Sequence, residues 1–298
     1  DYGDPFSAGF SGPYILSPTP VTNRNRSGQR VDYQRYVGGL RGDFGKIDFL
    51  KGWDWDVFSA YSHSKGTYSQ DVILKDAVNS ADGRSDFGTG GIGQANSIPR
   101  PTASCVGYTT PISKKACVDV SWVTPNFLAG KYTAAEEGFL FDNETGSTTY
   151  SQLVFEGSAS GNLFTLPAGP VGAAFGFHYR KDSINDTPGA ITLANNVWGA
   201  STAGITKGDD LTREVFGELS VPLLKDLPFA KNVELSLSGR HTKVNSYGED
   251  DTYKLGLNWQ IIPSLRLRAT KGTSFRAPAL FELYKNKETS FASQRSLD

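Results

Sequence analysis

The sequence predicts an all-β fold: a segment of an antiparallel transmembrane β-barrel, about eight strands with long extracellular loops. Apolar and polar residues alternate in run after run, which is the period of a strand and sends successive side chains to opposite faces. One face of these runs carries large aliphatics and aromatics and the other carries full charges, a contrast suited to lipid on one side and a wet interior on the other. The connections between runs also alternate, short then long, as they do when a barrel has tight turns at one rim and large loops at the other.

Taken in order, residues 1 to 32 are rich in Gly, Pro, Ser and Asn, show no period, and read as a loop. The first strand is expected over Tyr33 to Phe44, with Tyr36, Leu40 and Phe44 opposite Arg35, Arg41 and Asp43. A short turn leads to the second, Trp53 to Tyr68, where Trp53, Trp55, Val57 and Tyr61 oppose Asp54, Asp56, Ala60 and Ser62. The third is expected over Thr149 to Leu163, with Val154 on its polar side, and the fourth over Val171 to Asp182. In the fourth, Val171, Ala173, Phe175, Phe177 and Tyr179 alternate with Gly172, Gly176, His178, Arg180 and Asp182. The fifth, Thr212 to Val221, sets Val215, Leu219 and Val221 against Glu214, Glu218 and Ser220. Three further runs follow between Asn232 and Thr270: Val233, Leu235 and Leu237; Tyr253, Leu255, Leu257, Trp259 and Ile261; and Leu265, Leu267 and Ala269. Each alternates with polar residues, among them Glu234, Arg240, Lys254, Arg266 and Arg268. The second and fourth strands are followed by connections of roughly 80 and roughly 28 residues, far above the usual loop length.

The last run leads into Phe275 to Tyr284, FRAPALFELY. This segment closely resembles one in TonB-dependent outer-membrane receptors, where a barrel strand rises to the rim and breaks at an Arg-Ala-Pro. Pro278 has no N–H for a ladder and biases Ala277 away from helix, so pairing is expected to fail there. Leu166 to Val171 (LPAGPV) and Val221 to Lys231 (VPLLKDLPFAK) also read like turns of that family, and the resemblance covers most of the chain from Tyr150 onward. It marks Phe275, Arg276, Ala277, Pro278, Glu282 and Leu283 as motif residues. It implies part of one larger barrel, of about 22 strands in that family, in the cell outer membrane. There Glu218, Glu234, Arg240, Lys254, Arg266 and Arg268 would face a lumen and its plug. On this topology Asp1 and Asp298 both fall on the long-loop side, and there is no Met. The chain is therefore expected to be an internal piece, with plug, TonB-contacting segment and closing strands outside it. A self-closed eight-stranded barrel or a soluble β-sandwich are the competing architectures.

Composition narrows the function. Thirty basic and 31 acidic residues leave a net charge of −1, so no global field attracts nucleic acid. No run of 18 apolar residues could cross a bilayer as a helix. Cys105 and Cys117, the only cysteines, sit in CVGYTTPISKKAC within the longest loop. In an oxidising surface location they are expected to form a disulfide worth ~3 kcal/mol in the chain-entropy model. The three histidines, His63, His178 and His241, lie apart within strands and make no zinc set, and no metal or cofactor is expected.

Gly88, Gly90 and Gly93 match a dinucleotide fingerprint, but no strand precedes them and Pro99 and Pro101 stand where the helix should run. Two Asp-Phe-Gly triplets lack kinase partners. Asp54 and Asp56 read as lining charges rather than an acid and base pair, and Glu249 to Asp251 as a solvated hairpin tip rather than a calcium loop. With no coherent nucleophile and base, an enzyme is not expected.

Recognition is expected in the loops, where Tyr108, Trp122, Phe127, Tyr132 and Trp198 are aromatics in polar surroundings. Each is either a stacking surface for a small-molecule or oligosaccharide ligand or part of a small core holding the loop together. Trp53, Trp55, Tyr179, Tyr253 and Trp259 fit a girdle at the lipid interface. The resemblance implies TonB-coupled uptake of a scarce, bulky solute such as a siderophore, cobalamin or oligosaccharide, with the TonB complex, ligand and membrane lipid as partners. A passive porin or structural barrel is the alternative.

Overall fold

The computed structural model describes residues 26–45, 47, 50–81, 104–121 and 124–286. Eight strands form one antiparallel sheet: β1 (Ser27–Asp43), β2 (Asp54–Ile73), β3 (Phe141–Leu166), β4 (Gly169–Thr187), β5 (Thr206–Leu227), β6 (Ala230–Val244), β7 (Gly248–Ile262) and β8 (Leu265–Gly272). Their spatial order is their chain order, with β1 and β8 at the two edges, so this is neither a self-closed eight-stranded barrel nor two facing sheets. Phe175 and Leu257 are exposed, and Leu235 is only half-buried, where a sandwich would hide them.

Register keeps the two faces separate across the whole sheet. Leu40, Val57, Gly157, Phe177 and Val215 are successive cross-strand partners, as are Leu219, Leu237 and Leu255. On the other face Glu156, His178, Glu214, Thr242 and Asp250 form one row, and Glu218, Ser238 and Lys254 another. A single-residue slip anywhere would exchange the two sets, which is why the contrast fixes the register.

The apolar band runs obliquely to the strands. Above it, the first polar residues on the same face are Gln34, His63 and Ser151, which are mutual partners. In β4, β5 and β6 they are Lys181, Arg213 and His241, each two positions closer to the short turns than its predecessor's partner. The slide averages about 1.2 residues per pairing, which with a rise of ~3.3 Å and a strand spacing of ~4.8 Å corresponds to a tilt of roughly 40°. Transmembrane barrels tilt their strands by about 35–45°. At that tilt the run from Leu153 to Leu163 spans about 25 Å along the membrane normal, the height of a barrel's lipid band.

The short-turn rim repeats one device. Leu166-Pro167-Ala168-Gly169, Leu227-Pro228-Phe229-Ala230 and Ile262-Pro263-Ser264-Leu265 each reverse the chain through two residues with proline first, where its fixed φ suits a turn. Phe229 (φ 58°) and Gly169 (φ 141°) supply the left-handed positions, and a bulge precedes each turn. Trp53 and Trp259 lie at this rim and donate their indole N–H groups to the carbonyls of Asn162 (3.2 Å) and Phe229 (2.8 Å). Tyr179 and Tyr253, expected in the aromatic girdle, occupy the opposite edge of the band together with Tyr36 and Tyr61.

Strands two to five overrun their expected outward ends, and β1 begins at Ser27 instead of Tyr33. The sequence 27–32, expected as loop, is strand because the extended end of β2 offers it partners, Ser27 to Gln70 through Asp32 to Lys65. The two long connections shrink accordingly to residues 74–140 and 188–205. Pairing of β8 ends at Gly272, before Pro278 is reached, with one last bond from Thr273 N–H to the Tyr253 carbonyl. Pro278 instead precedes helix α5 (Leu280–Tyr284).

Candidate functional site at the outward end of the polar face

Among the described residues the hydrophobic core cluster lies not in the body of the sheet but in the first long connection and the strand ends beneath it. Helices α1 (Lys75–Ala81), α2 (Pro125–Leu128) and α3 (Ala134–Leu140) bring Leu74, Ala77, Cys117, Phe127, Phe139 and Leu140 together above the ends of β2 and β3. Cys105 and Cys117 are disulfide-bonded as expected, with Cα atoms 5.7 Å apart, closing the hairpin inside this cap. Phe127 and Tyr132 stack edge to face at 5.0 Å, and Tyr132 lies 5.3 Å from Phe141. Trp198 packs on the same cluster, and its N–H bonds the Ile73 carbonyl at 2.9 Å. Of the loop aromatics, then, Phe127, Tyr132 and Trp198 hold the cap together, Tyr108 is 73% exposed, and Trp122 lies outside the described residues.

Three buried carboxylates fasten this cap. Asp76 accepts from the N–H groups of Ile112 (2.9 Å) and Ser113 (2.6 Å), the Ser113 hydroxyl (3.1 Å) and the Asn196 amide (2.8 Å). Asn196 in turn accepts from the Asp76 N–H at 2.9 Å, so a single side chain joins α1, the disulfide hairpin and the second long loop. Burial alone would push the Asp76 carboxyl up, but these bonds outweigh it and hold it below the usual range. Glu136 forms a capping box with Thr133 and accepts from both the N–H and the hydroxyl of Ser121. Burial opposes ionisation there too, yet the four bonds bring its carboxyl down to about 2. Glu144, on the polar face of β3, accepts from the Thr192 N–H (2.6 Å) and hydroxyl (2.7 Å) and so fixes α4 (Ala190–Leu193) over the sheet.

The chain after β8 returns to the same place. Arg276 grips both carboxylate oxygens of Glu282 at 2.7 and 2.8 Å, and Glu282 also accepts from the Ala279 N–H at 2.7 Å. The Glu282 carboxyl is lowered chiefly by Arg276. This clasp rolls Leu280 to Tyr284 into α5, passes back across β6 and β7, and seats the Tyr284 ring against Gly208 of β5. The Tyr284 hydroxyl donates to the Asp209 carbonyl at 2.7 Å. A side chain at 208 would collide with the ring, so glycine is required by the close approach. Phe275 packs on Tyr247 at 5.9 Å.

Between α5, the second long loop and the sheet lies a cavity of about 250 Å³, lined by Tyr68, Gln70, Glu144, Asp186, Phe281 and Asn286 among others. Its floor continues down the polar face as linked rows. Asp182 accepts from the Tyr150 hydroxyl (2.6 Å), Gln152 (2.8 Å) and Arg180 (2.8 Å). Glu214 accepts from Arg240 and Thr242, both at 3.1 Å, and stands 3.3 Å from His178 Nδ1. Ser220 donates to Glu234 at 2.9 Å. Register places Glu218, Glu234, Arg240, Lys254, Arg266 and Arg268 on this one face. Among the described residues no group of metal-binding side chains gathers. Glu249 and Asp251 pair with Lys243 (3.3 Å) and His241 (2.8 Å). The glycine fingerprint at 88–93 lies outside the described residues.

What sequence reasoning missed are the carboxylates Asp76, Glu136, Glu144 and Asp186, and the bonds gathered by Asp182, which it placed only on the polar face. Only Glu136 carried a local signal, the Thr133-x-x-Glu136 spacing of a capping box. Chemically, the site is a polar wall of acids, hydroxyls and amides roofed by α5 and the second long loop, able to hold a polar solute through hydrogen bonds. No curated protein and no solved structure matches the chain. A family model described as TonB dependent receptor-like, beta-barrel, matches residues 1–296.

Proposed function

Since the chain belongs to the TonB-dependent receptor β-barrel family, a family of outer-membrane receptors, we propose that it binds a scarce, bulky solute at its external end and admits it with TonB-coupled energy. The observation that carries this reading is the roofed polar wall: loops and α5 fold inward over the polar face and leave a cavity there. Lipid contacts the opposite face, and the polar rows from Asp186 down to Lys254 line the route of a solute. Siderophore, cobalamin and oligosaccharide are the solute classes that the family resemblance implies. TonB contact is assigned to a segment other than the strands described, and the charged rows to a plug-facing lumen.

The test is accumulation of labelled siderophore complexes, cobalamin and oligosaccharides by cells carrying the full-length receptor, with and without a working TonB. Uptake of one class that disappears without TonB supports the reading. Uptake that persists would make the protein a passive porin.

A further inference from the structure

The lining of the cavity beneath α5 fits one kind of occupant. Among the described residues it contains no Lys, Arg or His, but it has two carboxylates, Glu144 and Asp186, and two aromatic rings, Tyr68 and Phe281. Each carboxylate oxygen of Glu144 accepts one bond from Thr192, and one oxygen of Asp186 accepts from the Thr148 hydroxyl at 2.5 Å. A carboxylate has room for about four such bonds, so both groups keep lone pairs for a further donor. The Gln70 and Asn286 amides at the same cavity can both donate and accept. Tyr68 crosses over its cross-strand partner Gly146, and a Cβ at 146 would collide with the ring. Glycine therefore lets the ring lie close against β3 while it lines the cavity. At about 250 Å³ the space is smaller than the roughly 300–1,000 Å³ of pockets that enclose a whole drug-sized ligand, so it suits one ring of a larger solute.

We propose that this cavity binds one uncharged sugar ring of a larger solute, stacked on Tyr68 and hydrogen-bonded through its hydroxyls to Glu144 and Asp186. A sugar ring carries hydroxyl donors around its edge and C–H groups on its faces. The hydroxyls match the free lone pairs of the two carboxylates, and the C–H groups match the negative face of an aromatic ring. An anion brought between two carboxylates in a partly dehydrated space is repelled, which turns away acidic sugars and negatively charged metal chelates. The Gln70 and Asn286 amides then sort one sugar from another, because a site built to bond hydroxyls rejects a ring that lacks them. This narrows the solute of the proposed uptake; it rests on that reading for the fate of the bound solute, while binding itself is measured apart from transport.

The test presents full-length receptor in a non-ionic detergent to immobilised neutral, uronic-acid and amino-sugar oligosaccharides, and follows the tightest neutral binder by calorimetry. The wild type is expected to bind a neutral oligosaccharide about tenfold or more tightly than its uronic-acid form. Tyr68→Ala should weaken that binding about tenfold or more, whereas Tyr68→Phe, which keeps the ring, should change it by less than about twofold. Tyr36→Ala, on the lipid-facing side, should leave it unchanged. Asp186→Asn should weaken the neutral sugar and shrink its advantage over the uronic form, a change of selectivity that a purely structural role would not produce. Should Tyr68→Ala not fold, Asp186→Asn, nearly identical in shape, decides. The inference is overturned if no neutral sugar binds, if the uronic or amino form binds as tightly or more tightly, or if a folded Tyr68→Ala or Asp186→Asn behaves as wild type. TonB-dependent uptake of an anionic siderophore complex by a receptor that binds no sugar would overturn it and leave active transport standing. Sugar binding without TonB-dependent uptake would do the reverse.

Discussion

Replacing Leu237 with arginine tests the assignment of the two faces. Leu237 lies four residues inward of His241, the first polar residue on that face of β6. At a rise of ~3.3 Å and a tilt of roughly 40°, that puts it about 10 Å below the rim, near the middle of a band about 25 Å tall. Its partners on either side are Leu219 and Leu255, which offer no counter-charge. An arginine at such a depth costs a barrel about 2–4 kcal/mol, or roughly 30- to 1,000-fold in the folding equilibrium. The same substitution at Ser238, one residue along and on the polar face, is expected to cost under ~0.5 kcal/mol. At His241 it should cost about 0–1 kcal/mol, the figure for the interface. The assay is reversible urea unfolding from phosphatidylcholine vesicles, followed by tryptophan fluorescence. If Ser238→Arg proves the damaging change and Leu237→Arg the benign one, the faces are reversed and the transport reading fails with them. If both are benign, this sheet does not contact lipid.

Four further outcomes are expected. Asp76→Ala leaves three N–H groups and a hydroxyl without their acceptor, and should lower the cap's local stability by about 2–4 kcal/mol, read as faster amide exchange at Ile112 and Ser113 while β4 to β7 stay protected. Replacing Cys105 and Cys117 by serine should cost the cap about 2–3 kcal/mol and open Lys114 and Lys115 to trypsin, without shifting the unfolding of the sheet. Because the Glu136 carboxyl falls from 4.5 to about 2 on folding, its contribution is complete above about pH 4.5 and lost as pH drops toward 2; exchange at Ser121 and Thr133 should rise across that window, and Glu136→Gln should flatten the response. Gly161→Val should drive the Trp53 ring off its seat, since even a Cβ at 161 would lie 2.5 Å from it, and is expected to red-shift tryptophan emission.

The strands were legible wherever lipid enforces a contrast. Val171 to Tyr179 declares its period because one face must be greasy and the other wet. Above the band both faces meet water, and Asp142-Asn143-Glu144-Thr145-Gly146-Ser147 is polar throughout. No alternation survives there, so the outward third of β3 was invisible although its ladder is intact. For the same reason Ser27 to Asp32 looked like loop. The proline turns were readable because proline dictates its own φ. The cap was not: Asp76 finds Ser113 37 residues away and Asn196 120 residues away, and no local spacing encodes such a meeting. Tyr132 and Trp198 were visible as aromatics, but whether each faces a solute or a neighbouring ring depends on the packing of residues far away in sequence.

Every ladder in the sheet joins strands adjacent in the chain, and three of the seven close through just two residues. Such a sheet can zip up hairpin by hairpin, each step needing only a small entropic outlay. The seam between β2 and β3 is different, for residues 74–140 must be looped out before it can form. A cap that folds on its own core, stapled at Cys105 and Cys117, brings Ile73 and Phe141 side by side in advance. The cap thus doubles as the fastening that starts the slowest seam, and damage to it should surface first as delayed assembly rather than as a weakened wall.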